Sequence, residues 1–172
     1  DPAYHVVVGD GLVVDAGTDP SAVQAAKDAV AAAGMMALVM APSGGKLGDV
    51  VVDRTFLTAA SIEFDSVLVV DAPAPAPDAV PLFAKAGHAT AGRPVDPRVA
   101  KLVAEMFRHF KAIGVASDAT DVLTAAGVPE DAPGVVVGEP AGVVGKLAAL
   151  LAEHRVWHRF GPVAEESDAA RR

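Results

Sequence analysis

The sequence predicts an α/β sandwich, with a mainly parallel sheet of five to six strands and helices on both faces. Short β-branched runs alternate along the chain with helical patterns, the rhythm of a parallel sheet covered on both sides. Hydrophobic residues make up 52% of the chain but aromatics only 5%, so the apolar content is small and branched and suits closely packed layers. A length of 172 residues fits one domain with a core large enough to stand without disulfides.

Residues 6–8 are expected as an extra strand or an arm, and 12–14 as the first strand of the domain proper. Asp19 then caps a helix with Pro20 at its first position, Val23, Ala26 and Val30 on one face, and Gly34 closing it. Residues 36–40 read as the second strand. A loop starts at Ser43-Gly44-Gly45, and 50–52 forms a short excursion strand ahead of 55–62. Residues 67–70 are the third central strand, ending at Asp71. The tract 72–77, APAPAP, suits only an extended loop, and 78–95 is weakly patterned.

Asp96 caps the most strongly patterned helix, with Pro97 at its first position and Val99, Leu102, Val103, Met106, Phe107 and Phe110 as an apolar stripe. Residues 113–116 are the fourth strand and 118–126 the next helix, ended by Gly127. The fifth strand is 135–137. The last helix is 140–153, burying Val143, Val144, Leu147, Leu150 and Leu151. The organisation is therefore an arm or linker at 1–10, one domain at 11–160 and a frayed polar tail at 161–172.

A net charge of −8 argues against nucleic-acid binding and against anionic membrane surfaces. No apolar run approaches the roughly 20 residues that span a bilayer. The start, DPAYHVVVG, lacks a basic region and a cleavage site, so no signal peptide and a cytoplasmic location are expected. The chain has no cysteine, which excludes disulfides, thiolate metal sites and Cys nucleophiles.

In such a sheet, ligands bind outside the carboxyl ends of the strands. Those ends read Asp15, Ala41, Asp71, Ser117 and Gly138, with Asp19 and Asp118 close behind. A phosphate or flavin cradle would place several carboxylates around one anion, and Gly44-Gly45-Lys46 lacks P-loop spacing. A Mg²⁺-dependent phosphoacceptor at Asp71 with Ser117 as hydroxyl partner lacks the lysine needed after strand five, where Gly138-Glu139-Pro140 stands. A serine nucleophile at Ser117 sits on a strand–turn–helix segment, yet its neighbours are Ala116 and Asp118, where a tight elbow would have glycines. His154 and His158 would share a face if the last helix continued. Two ligands make a weak metal site, and a basic helix end is the plainer account. The aspartates themselves have ordinary roles as helix caps and turn formers.

Two stretches carry a resemblance: VVDRTFLTAASIEFDSVLVVDA at 51–72 and DPRVAKLVAEMFRHFKAIGVASDATDVL at 96–123. They resemble the C-terminal domain of large-subunit haem catalases, which is itself similar to the class I glutamine amidotransferase and PfpI-like superfamily of flavodoxin-like sandwiches. By that resemblance, Ser117 stands where active superfamily members hold a nucleophilic Cys, Asp118 replaces a His and Ala119 a Gly. The oxyanion-forming Gly-Gly pair is replaced by Ala72 and Pro73, after Asp71. The resemblance implies the superfamily fold with a vestigial nucleophile position and no catalytic, cofactor or metal residue of its own.

It further implies a parent enzyme that dismutates hydrogen peroxide at a haem held in a preceding domain. The only tyrosine, Tyr4, lacks the Arg-rich context of a haem ligand. The implied partners are that haem domain and neighbouring subunits of a homotetramer. The implied roles are tetramer stability, peroxide access or folding. The alternatives are a PfpI/amidotransferase-like hydrolase using Ser117, and a stand-alone holdase chaperone using an apolar patch at Val80, Pro81, Leu82 and Phe83.

Overall fold

The structure, a computed structural model, describes residues 8–75 and 93–160. The expectations for the arm strand at 6–8, the end of the proline-rich loop, the 80–83 patch and the 161–172 tail lie outside the described residues.

Six parallel strands form the sheet. In chain order they are β1 (Gly9–Val13), β2 (Met36–Ala41), β5 (Arg54–Thr55), β6 (Ser66–Val69), β7 (Ala112–Ala116) and β8 (Val135–Gly138). Their spatial order is β5-β2-β1-β6-β7-β8. Without the short edge strand β5, this is the 2-1-3-4-5 order of a flavodoxin-like sheet, with its direction reversing between β1 and β6. A separate hairpin of β3 (Gly45–Leu47) and β4 (Val50–Val52) interrupts the path from β2 to β5. The helices are α1 (Pro20–Ala32), α2 (Pro97–Arg108), α3 (Asp121–Ala126) and α4 (Pro140–Leu151). Among the described residues, no helix is long and apolar enough to cross a membrane.

The central strands are buried on both faces, so alternate residues feed two cores. Val13, Val67, Val69 and Val115 pack against α2 and α3 through Val99, Val103, Met106 and Val122. Leu12, Val14, Val39 and Leu68 pack against α1 and α4 through Val23, Val30, Val143 and Leu147. Helix α4 can lie this close to β7 because Gly114 has no side chain. A Cβ there would meet the side chains of Val143, Leu147 and Leu68.

The caps read from sequence hold α1 and α2. Asp19 accepts from the Ser21 N–H at 2.9 Å, and Asp96 accepts from the Arg98 N–H at 2.9 Å. Each is followed by proline at the first helical position, where a missing N–H leaves no bond unmade.

Several boundaries differ from expectation. Strand β1 begins at Gly9 and not at residue 12, because Gly9 and Asp10 pair with Met36 and Ala37 although both are poor strand formers. The loop expected from Ser43 is partly the strand β3. Helix α3 begins at Asp121 and not at 118, behind turns closed by Ala119 N–H to Ala116 O at 2.9 Å and Leu123 N–H to Thr120 O at 2.9 Å. Helix α4 ends at Leu151 and His154 takes a left-handed φ of 65°, so Leu150 and Leu151 are only half-buried.

Candidate functional site

A cleft of about 430 Å³ opens outside the carboxyl ends of β1, β6, β7 and β8, at the point where the sheet order reverses. Thr18, Asp19, Asp71, Ser117, Asp118 and Glu139 line it. The structure thus brings together Asp19, Asp71, Ser117 and Asp118 from the sequence reading. It gives each an ordinary structural setting.

The loop after β1 is held by Thr18. Its hydroxyl accepts from the Asp15 N–H at 2.8 Å and donates to Asp71 at 3.1 Å. Asp15 folds back on the Ala16 N–H at 2.7 Å, a turn contact. Asp19 spends its carboxylate on the helix cap, and its backbone hydrogen bond to Ser21 lowers its pKa. The other Asp71 oxygen lies 3.6 Å from Arg93, whose guanidinium reaches Asp121 at 4.0 Å. Pairs this exposed contribute at most about 1 kcal/mol. Ala41 is buried and its carbonyl accepts from Phe56, carrying the chain away toward β5.

Ser117 and Asp118 are both exposed on the turn after β7. Among the described residues, only Phe110 and His154 are non-glycines at positive φ, so Ser117 lacks the strained backbone of a nucleophile elbow. Among the described residues, no histidine lines the cleft to act as a base. Ala72 and Pro73 are buried beside it. Ala72 O accepts from Arg93 at 3.0 Å and Pro73 O from the Asp96 N–H at 2.8 Å. Pro73 has no N–H to offer an oxyanion.

The described histidines lie elsewhere. His109 ends α2, with Nδ1 at 3.4 Å from Ser61 Oγ, and His154 and His158 follow α4. The helical continuation that would align His154 with His158 is absent, because the chain turns at 154 and re-enters a 3₁₀ turn at Trp157–Arg159. Among the described residues, no group of three or more His, Asp or Glu is placed to hold one metal ion.

Three further constrained polar residues are at the opposite, amino edge of the sheet, and the sequence alone did not mark them as buried. Asp10 is fully buried in β1, and burial raises its pKa to about 7 against the opposing hydrogen bond from Ser66. Lys111 is buried just ahead of β7 and donates to Ser61 O at 2.6 Å and Phe64 O at 2.5 Å. Burial lowers its pKa. Arg159 donates to Pro133 O at 2.6 Å, Phe107 O at 3.1 Å and Lys111 O at 2.9 Å while lying over the Phe107 ring. Burial lowers its pKa to about 10, which leaves it charged at neutral pH. The available signal was a charge set against an apolar run: Asp10 within VVVGDGLVV, and Lys111 directly before AIGVA.

The chain matches the family model of the C-terminal domain found in long catalases, over residues 10–161. It is also 31% identical to Catalase HPII of Mycobacterium avium, in a match that covers 68% of this chain and 17% of that protein. The chain thus spans less than a fifth of the length of this relative.

Proposed function

The chain belongs to the family of C-terminal domains found in long catalases, and from that premise we propose that it is a non-catalytic appendage of a parent catalase. The observation that carries this reading is the state of the carboxyl-edge cleft. Its serine stands on an unstrained turn, no histidine among the described residues lines it, and Asp19, Asp71, Asp118 and Glu139 would repel a developing oxyanion. Haem does not fit it either. The cleft is lined by carboxylates and, among the described residues, offers no His, Tyr, Met or Cys side chain as an axial ligand.

Haem and peroxide chemistry then belong to the remainder of the parent polypeptide. The domain proper is read as 11–160, with 1–10 as its connection. Its partners are the preceding haem domain and neighbouring subunits, and its contribution is to tetramer stability, peroxide access or folding. A parent protein with this domain deleted is expected to keep haem-dependent peroxide turnover, at an altered rate if the domain shapes peroxide access, while its assembly loses resistance to heat or dilution. Ser117→Ala is expected to change neither property. Ester or peptide hydrolysis abolished by Ser117→Ala would overturn the reading in favour of the hydrolase.

A further inference from the structure

Six large hydrophobic side chains are exposed among the described residues, and four of them stand at the amino edge of the sheet. Met36 opens β2, and Ile62 lies in the 3₁₀ turn ahead of β6 with 82% of its surface exposed. Trp157 and Phe160 follow α4 and remain 54% and 58% exposed. Their backbone is fastened to this edge: the Val156 N–H donates to Phe110 O at 2.7 Å, and Arg159 reaches Lys111 O. Phe160 stacks on Phe110 with ring centroids 4.5 Å apart, and Trp157 lies 6.3 Å from Phe160. A buried network thus holds two aromatic rings in an exposed position, where a free surface gains nothing from them.

Both ends of the described body meet the same edge. Val8 leads into β1, its carbonyl accepting from Met36 N–H at 2.9 Å, and Phe160 is the last described residue. The two ends are linked through Asp65, which accepts from Gly9 N–H at 3.2 Å and lies 3.8 Å from Arg155. In a domain at the C-terminal end of a long catalase, the rest of the polypeptide connects through Val8 and therefore arrives at this edge. More than four fifths of the Mycobacterium avium relative lies outside the match, ample chain to form an opposing surface.

We propose that the amino edge is the docking face of this domain, covered through an apolar surface by the parent polypeptide that precedes it. Ile62, Trp157 and Phe160 are its anchors. This rests on the appendage reading and specifies which face the appendage uses.

The chain has no cysteine, so single cysteines placed in the full-length protein can be followed by alkylation and peptide mass spectrometry. Trp157→Cys and Ile62→Cys are expected to be alkylated at least tenfold more slowly than Leu57→Cys, and all three at one rate in urea. Leu57 is 80% exposed after β5, away from this edge, and serves as the reference. Ile62→Cys guards against a folding defect in Trp157→Cys, because so little of Ile62 is packed within the domain. Equal native rates at all three positions would overturn the proposal. Protection lost on dilution to a monomer would overturn it in favour of contact between copies. The appendage reading fails separately if the full-length protein purifies without haem. Protection at Trp157 and Ile62 would then still support the docking face.

Discussion

Ser66 Oγ donates to Asp10 Oδ1 at 2.6 Å within the buried sheet, and Asp10 Oδ2 has no hydrogen-bond partner. The two residues are paired across β1 and β6, two positions ahead of Leu12 and Leu68, and by strand alternation they share the face covered by α1 and α4. A half-satisfied carboxyl in such a layer favours its neutral form.

Stability should therefore depend on pH through Asp10. Its folded-state pKa is raised from 3.8 to about 7, so between those values the folded chain holds a proton that the unfolded chain has released. Stability falls as pH rises through that window and levels off above about pH 7. Urea denaturation across this range should show the slope, and Asp10→Asn, which keeps a partner for Ser66, should flatten it. An unchanged slope in Asp10→Asn would discard the assignment.

Gly114→Ala should destabilise by about 1–3 kcal/mol, the usual cost of forcing a methyl into a packed layer. The new Cβ would press on Val143, Leu147 and Leu68, and Val143 is β-branched and cannot swing aside freely. Gly142→Ala, in open space on α4, should be neutral or slightly stabilising. Thermal unfolding of the two variants gives the contrast.

Lys111→Met keeps the volume and removes the donor to Ser61 O and Phe64 O. Phe64 O then lacks a partner and Ser61 O keeps only the long bond from the Phe64 N–H at 3.5 Å, at a cost of about 1–3 kcal/mol for the orphaned carbonyl where water cannot replace the donor. Chemical denaturation should show the loss. A variant as stable as the parent would mean that solvent reaches those carbonyls.

Asp96→Ala should cost about 1–2 kcal/mol, since Asp96 is fully buried and bonds both the backbone and the guanidinium of Arg98. Asp118→Ala should be near neutral, because α3 starts at Asp121 with Thr120 as its cap residue and without a side-chain capping bond. Equal losses in the two variants would contradict the placement of that helix start.

Ser117→Ala should leave unchanged the unfolding midpoint and, in the parent catalase proposed above, the peroxide turnover. The serine is exposed on a turn closed by backbone atoms of Ala116 and Ala119. A drop in either measurement would show a contact at the cleft that the fold of this chain alone does not require.

The order of strands and helices was legible in the sequence. So were the Asp19-Pro20 and Asp96-Pro97 helix starts and the alternating core positions, because periodicity and capping act between residues a few places apart. That Pro73 has no N–H to donate and that the chain holds no cysteine could also be read from residue identity. Tertiary structure alone decided the rest. Whether the turn after β7 was strained, whether α4 ran on to align His154 with His158, and which charges were buried all depended on distant partners. Asp10 finds Ser66 across 56 residues and Arg159 finds Lys111 across 48, and no local pattern encodes such meetings. Each depends on the sheet order and on which face a strand presents, and both are fixed only when the layers close.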